Sequence, residues 1–191
     1  MLETTPSRST PRYALNKNKY LIHPEYDYLH ELLKNHAHRE LRNCCLLFIA
    51  LHTGARATEI LNLKFSDLNR YDESLFIRGI KNSNDREIPL PSWLFQYLIS
   101  LKVKRHSHKN SNCDDERIFP ITYNRLRQIW QFYRPSEKKF HSLRHTFAIR
   151  LYEKTKDLRL VQVALGHRNI TNTMIYADYV YSQQELRRLI L

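Results

Sequence analysis

Cysteine is scarce in this chain of 191 residues: Cys44 and Cys45 are adjacent in an apolar run, Cys113 sits in a polar loop, and the three form no paired framework. A disulfide-stapled secreted scaffold is thereby excluded, and the thiols read as reduced and intracellular. Long apolar runs are missing too. No stretch approaches the ~20 consecutive apolar residues that cross a bilayer, and the segment from Met1 to Lys19 lacks the apolar core of a secretory signal. The expectation is a cytoplasmic protein with no membrane partner. Acidic residues are outnumbered, 19 Asp and Glu against 31 Lys and Arg, and the formal net charge of +12 asks for a polyanionic partner. Nucleic acid leads. A basic balance by itself also suits a membrane surface or a plain basic soluble protein, so the motifs have to decide.

The length suits one well-buried core and is short for two. Residues 1–20 carry Pro6, Arg8, Pro11, Arg12, Lys17 and Lys19 without apolar periodicity. They read as a basic, extended and mobile arm, either a disordered end or a segment that wraps DNA. Residues 21–191 read as the folded unit. Apolar spacing predicts a helix from about Pro24 through Leu33 and a second, largely apolar and therefore central one from about Arg39 to His52. After the break at Thr53 and Gly54 comes a short helix with Arg56 in its first turn. Between Asp67 and Pro89 the pattern changes: the apolar run Leu75, Phe76, Ile77, a polar turn from Lys81 to Asp85, and Glu87-Ile88-Pro89 predict a small β-meander or hairpin. Helices follow from Pro91 to about Leu101, over 122–133, 140–155 and 158–165, around Tyr176, and in a tail within 182–191. The fold class is mainly α with a small antiparallel β-sheet.

Four separated stretches carry the reactive side chains: TGARATEI with Arg56, HSLRHTFA with His141 and Arg144, LGHRN with His167, and MIYADY with Tyr176. Breaking a phosphodiester through a protein hydroxyl needs an in-line nucleophile, cations for the non-bridging oxygens and a proton for the departing oxygen. Arginine suits the oxygens because its planar, permanently charged fork grips two at once, whereas lysine acts as a point charge; Arg56 and Arg144 are the pair expected to do so. Arg56 opens a helix, where backbone amides also favour anions, and Glu59, one turn on, can hold its guanidinium from behind. Taken alone, that pair is an ordinary surface salt bridge.

His141 and Arg144, three apart, are expected on one helix face, with Phe140, Leu143, Phe147 and Leu151 as the apolar stripe opposite. With a pKa near neutrality, His141 reads as the proton acceptor or hydrogen-bond partner beside the attacking hydroxyl. Gly166 reads as the left-handed cap of the 158–165 helix, turning His167 inward. Tyr176, Tyr179 and Tyr181 compete as nucleophile, and neighbouring cations are expected to favour the phenolate. A metal held by His141, His145 and His167 is opposed by the want of a His-Glu-x-x-His helix or a cysteine pair, and by Arg144 among the would-be ligands.

The ordered set Arg56, His141-x-x-Arg144, Gly166-His167, Tyr176 resembles the tyrosine recombinase (phage integrase) family from about Leu21 to Tyr181. Where the family usually has Thr-Gly-Leu-Arg-x-Ser-Glu, this chain has Ala55 for the leucine and Thr58 for the serine. The resemblance implies that Tyr176 is the nucleophile, that His167 hydrogen-bonds the scissile phosphate, and that His145 supports the core or orients a ligand. It also implies that Lys81, in the polar turn, is the mobile lysine that protonates the leaving 5′ oxygen; Lys64 and Arg86 are rivals, since the glycine-rich form of the turn is absent. The implied activity is conservative site-specific strand exchange through a covalent 3′-phosphotyrosyl intermediate, without metal, nucleotide or other cofactor. Implied partners are double-stranded DNA bearing a specific recombination site, sister copies in a homo-tetramer on paired sites, and an accessory DNA-bending protein, with a place on the nucleoid. In size the chain matches the small invertases of the fimbrial phase-switch kind; larger members carry an N-terminal DNA-clamping domain where only the short arm is expected here. Relaxation of the type IB topoisomerase kind and a non-catalytic DNA-binding regulator are the rival activities.

Arg125, Arg127 and Gln128 alternate with the apolar anchors Leu126, Ile129 and Trp130, and Arg134, Lys138 and Lys139 continue the charge. This segment either lays a helix in a major groove or gives phosphate contacts alone. In the tail, Leu186, Leu189, Ile190 and Leu191 suit docking on an adjacent subunit or folding back on the chain's own core.

Overall fold

The computed structural model describes residues 15–80, 83–106, 115–180 and 190. The expectations for most of the arm, for Lys81, for Cys113 and for the tail lie outside these residues.

The two helices expected on either side of residue 36 run together as α1 (His23–Thr53), with Glu40 out of helical geometry at φ −121° and ψ 45°, a kink in one continuous rod. Pro24 in its first turn needs no amide partner there, and Glu25 accepts from the amide of Ile22 at 3.0 Å. The C-terminal half, from Asn43 through Leu51, is buried on every side, as a helix apolar all round must be. It is the axis of the domain: α2 (Ala57–Leu61), α3 (Ser92–His106), α4 (Tyr123–Tyr133) and α5 (Ser142–Thr155) all pack against it. Cys44 and Cys45 lie in this axis as free, buried thiols.

The sheet has three strands in the order β1 (Leu68–Asn69), β2 (Ser74–Ile77), β3 (Arg86–Pro89), all antiparallel. Its register sets Leu75 against Ile88 and Ile77 against Arg86. Alternation turns Arg86 and Ile88 inward together and leaves Glu87 and Pro89 outside. After α5 come α6 (Leu158–Leu165), capped by the Asp157 carboxylate on the amides of Arg159 and Leu160, and α7 (Thr171–Val180). A second, smaller apolar cluster joins α5, α6 and α7 through Ala148, Ile149, Tyr152, Val161, Leu165 and Tyr176, with Tyr20 among them. The basic segment expected to be mobile through residue 20 is therefore docked before that point: Lys17–Lys19 form a 3-10 turn, Tyr20 is buried, and the Leu21 amide donates to Thr146 Oγ1 at 2.8 Å. Among the described residues no helix is long and apolar enough to cross a membrane.

Candidate active site

One buried carboxylate organises the arginines. Glu59 has a fully buried side chain, and its Oε2 accepts from the backbone amide of Arg56 at 2.8 Å. The Arg56 Nη1 reaches Oε1 at 3.1 Å, and Arg86, arriving from β3, reaches Oε2 with Nη2 at 2.8 Å. A third guanidinium, that of Arg144, stands 4.0 Å from the same Oε2. Burial alone would raise the Glu59 pKa, but the Arg86 hydrogen bond and charge, the Arg56 amide and the Arg144 charge outweigh it and hold the carboxyl below its ordinary value. Three positive groups therefore share one negative one. The surplus shows at Arg144, whose pKa is lowered to about 9 by burial together with the charges of Arg56 and Arg86.

Arg144 is 2% exposed and is clamped between two carbonyls, donating from Nη1 to Gly54 at 2.7 Å and from Nη2 to Leu165 at 2.8 Å. Since a guanidinium has five N–H donors in a rigid fork, this fixes its plane without using it up. Gly54 ends α1 in the left-handed region at φ +60°, and a Cβ there would lie 2.5 Å from the Phe147 ring. The residue thus brings its carbonyl close to α5 as only glycine can.

The turn between β2 and β3 is fastened to the end of α6. Ser83 accepts from Arg56 Nη1 at 2.8 Å and donates to the Gly166 carbonyl at 3.0 Å. The Asn84 amide bonds the same carbonyl at 2.9 Å, and Ser83 and His167 form an isolated antiparallel bridge. Gly166 caps α6 at φ +70°, as the left-handed cap was expected to, and a Cβ on it would meet the Asn84 carbonyl oxygen at 2.6 Å. His167 is thereby delivered to the arginines. Its Nδ1 is braced by Thr173 Oγ1 at 2.9 Å, and burial, with Arg144 and Arg56 next in weight, lowers its pKa to about 3.

Thr173 and Tyr176, three apart on α7, share a face: one braces His167, the other brings its phenol to α5. Tyr176 is 1% exposed, and its Oη lies 3.0 Å from His145 Nδ1. The expectation that cations would favour its phenolate holds for the charges alone. Arg144 and Arg56 do act in that direction, but desolvation is larger and the pKa is raised to about 12. His141 is corrected. It stands just before α5 as its N-cap, solvent-facing on one side, and touches the His145 ring edge-on at a centroid distance of 4.8 Å; the phenol's partner is His145. Nor is its pKa near neutrality, since desolvation, then Arg144 and Arg56, lower it to about 4.

The structure therefore gathers Arg56, Glu59, His141, Arg144, His145, His167 and Tyr176. It adds Arg86, weighed from the sequence only as a rival to Lys81, and Ser83, which was not singled out. The inward register of a strand was a usable signal for Arg86, and Ser83 offered none. Lys64 is bound elsewhere, to Asp115 at 2.9 Å. Among the described residues no three His, Cys, Asp or Glu side chains could jointly hold a metal ion.

Of the cations expected to meet DNA, Arg125 and Arg127 lie exposed on α4 with Gln128, which accepts from Arg125 at 3.1 Å, and Lys139 is exposed beyond the helix. Arg127, Arg134 and Lys139 line a groove of about 520 Å³ that also includes Ala57, Trp130 and His141, so the basic face reaches the residues next to Arg56 and His145. Arg134 is paired with Glu137 at 2.7 Å. Lys138 is corrected: it is buried, ion-paired with Glu25 on α1, and its carbonyl accepts from the Trp130 indole at 2.7 Å. It ties α1 to the segment after α4 and offers no free charge to a phosphate.

Residues 19–183 match the model of the phage integrase family. Tyrosine recombinase XerA of Pyrococcus horikoshii is 32% identical over 149 residues, covering 71% of this chain and 50% of that protein. Tyrosine recombinase XerC of Staphylococcus saprophyticus is 29% identical over 188 residues, covering 92% of this chain and 62% of the relative. This chain thus spans about half to three fifths of the length of these relatives. Among solved structures, the crystal structure of XerA recombinase superposes with a TM-score of 0.70 at 24% identity, over 97% of this chain and 65% of that one. The XerH site-specific recombinase bound to its difH substrate in a pre-cleavage complex superposes with a TM-score of 0.69 at 28% identity, over 94% of this chain and 56% of that one.

Proposed function

This chain belongs to the phage integrase family, and on that premise we propose that it is a tyrosine-type site-specific recombinase that cuts and rejoins double-stranded DNA through Tyr176. Attack by the phenol leaves a 3′-phosphotyrosyl ester and a free 5′ hydroxyl; the reverse attack rejoins the strand, and since the ester keeps the phosphodiester energy no nucleotide is consumed. One observation carries the reading: a buried phenol lies within electrostatic reach of Arg144 and Arg56, in a pocket whose positive groups outnumber its carboxylate. A phosphodiester supplies the missing negative charge where the nucleophile waits. Arg56 and Arg144 hold the non-bridging oxygens, His167 and His141 hydrogen-bond the phosphate, Arg86 and Glu59 keep the forks in place, and Lys81 protonates the leaving oxygen.

Arg144 and Tyr176 are both covered in the protein without DNA, so the scissile phosphate enters as α7 shifts from α5. The exposed face of α4, with Arg125, Arg127, Gln128 and Lys139, tracks the duplex. The known complexes of XerH with difH support a duplex substrate bearing a specific site. Four copies on paired sites and a bending protein complete the exchange, on DNA in the cytoplasm.

Adduct selection tests this on duplexes of many sequences at once. The protein is incubated with a library of nicked duplexes of random sequence, denaturant-resistant protein–DNA adducts are isolated, and their DNA is sequenced. Enrichment of one sequence family by wild type and its loss in Tyr176→Phe are expected. Tight binding of a duplex selected from the same library by affinity, with no adduct on it, would mean a non-catalytic binder, and relaxation of any supercoiled plasmid without enrichment would mean a topoisomerase.

A further inference from the structure

We infer that Ser83 is a positioning residue for strand cleavage, its hydroxyl aiming the Arg56 fork at the scissile phosphate; this rests on the strand-cleavage reading above. The three guanidiniums are not held alike. Arg144 is clamped by the carbonyls of Gly54 and Leu165, and Arg86 is buried and paired with Glu59 at 2.8 Å. The Arg56 side chain is one-third exposed and meets Glu59 through a single Nη1 contact at 3.1 Å. One contact leaves a planar fork free to swing about it. Ser83 supplies the second, accepting from the same Nη1 at 2.8 Å, and the serine is itself buried.

The direction of each bond follows from the atoms. A serine hydroxyl has one hydrogen and two lone pairs; the hydrogen goes to the Gly166 carbonyl at 3.0 Å, and the lone pairs face Arg56. Donating polarises the oxygen and strengthens the bond it accepts. Nη1 carries two hydrogens, of which Glu59 and Ser83 take one each. Nε and Nη2, which share the opposite edge of the guanidinium, keep their hydrogens unpartnered among the described residues, and that edge matches two phosphate oxygens at once. Ser83 comes from the β2–β3 turn, which the Asn84 amide and the bridge to His167 fasten to the end of α6. α7, the element that shifts to admit the phosphate, contributes no atom to this tie, so the tie persists when the phosphate enters. Nor does the fold depend on the hydroxyl: without it the Gly166 carbonyl keeps the Asn84 amide at 2.9 Å, and Arg56 can turn to water.

The rate of adduct formation is measured in single turnover on the nicked duplex recovered by adduct selection. Since a misplacement of about 1 Å costs about 100-fold, Ser83→Ala is expected to slow the step by about 10–100-fold, with duplex affinity as in wild type. A rate within about threefold of wild type overturns the inference, as does a loss confined to duplex affinity. The second readout needs no cleavage. Rotation about the Nε–Cζ bond interchanges the two Nη nitrogens of an arginine, and ¹⁵N NMR of the free protein should show them as separate signals for Arg56 and Arg144. In Ser83→Ala the Arg56 pair should interchange about tenfold faster, the weight of one hydrogen bond to a charged group, while Arg144 keeps its wild-type rate. An unchanged Arg56, or an Arg144 loosened equally, overturns the inference, because a general slackening of the fold would move both. If wild type forms no adduct on any duplex, the strand-cleavage reading fails and takes the role of Ser83 with it; if wild type forms the adduct and Ser83→Ala matches its rate, the inference about Ser83 fails alone.

Discussion

Removing the Glu59 charge should damage this protein more than removing any single arginine from its surface. In Glu59→Gln the Arg86 guanidinium, 2% exposed, loses the carboxylate it meets at 2.8 Å. Breaking a buried ion pair by deleting one partner costs about 3–5 kcal/mol, because the surviving charge stays desolvated. Arg56 adds little to that figure, since its side chain is one-third exposed and water screens the loss. In a chain of this size each kcal/mol moves Tm by about 2–4 °C, so a fall of roughly 6–20 °C is expected. The assay is urea denaturation at low salt, urea being uncharged and leaving the electrostatics unscreened, with the slope checked for constancy. The double variant Glu59→Gln with Arg86→Met then decides the cause. Because the second change removes the stranded charge, the double variant should be no less stable than Glu59→Gln alone, a coupling of about 2 kcal/mol or more. Single-variant losses that add within about 0.5 kcal/mol, or a Glu59→Gln loss below about 1 kcal/mol, would refute the account of a carboxylate shared among three guanidiniums.

Lys138→Ala and Lys139→Ala should part company despite their adjacency. The first breaks the part-buried tie to Glu25 and should cost about 1–3 kcal/mol of stability in a urea titration. The second should leave stability alone and lower the salt slope of DNA binding by about one phosphate's worth, read from affinities at several salt concentrations. Gly166→Ala places a Cβ 2.6 Å from the Asn84 carbonyl oxygen in left-handed backbone; a loss of about 2–4 kcal/mol is expected, visible as a lower Tm, and an unchanged Tm would show that the seam yields freely. Acid should weaken the protein earlier than its carboxylates alone would cause. His52 and His145 have pKa values lowered to about 4, and His167 to about 3, each by burial first, whereas in the unfolded chain a histidine takes up its proton near pH 6.5. Below about pH 6.5 the unfolded state binds more protons, so stability falls as pH drops toward 4, by up to about 1.4 kcal/mol per pH unit for each ring. A urea midpoint constant from pH 7 to 4.5 would contradict this.

The helices were legible because apolar spacing reports burial directly: the all-apolar run through Cys44 and Leu51 could only be an axis, and α6 begins at its acidic cap and ends at its glycine where those residues stand. The reactive set was legible because each member sits in a local pattern. What escaped depends on contacts across long separations. Lys138 looked like one more cation in a basic run, and nothing near it announces Glu25, 113 positions earlier. His145 and His141 are one helical turn apart and equally plausible on a wheel; only the packing of α7 shows which meets the phenol. Desolvation is likewise invisible in a string of letters, so the pull of the cations on Tyr176 was readable and the larger, opposing effect of its burial was not. Arg86 was readable in part, since Ile88 two places on is apolar and a strand turns both the same way.

At the seam between Gly166 and the β2–β3 turn, main chain lies against main chain, pinned by the Ser83 hydroxyl on the Gly166 carbonyl. Such a joint works as a stiff lever. A displacement of β2 and β3 would pass through it to His167, and a bulkier residue at Gly166 would turn that linkage into a wedge.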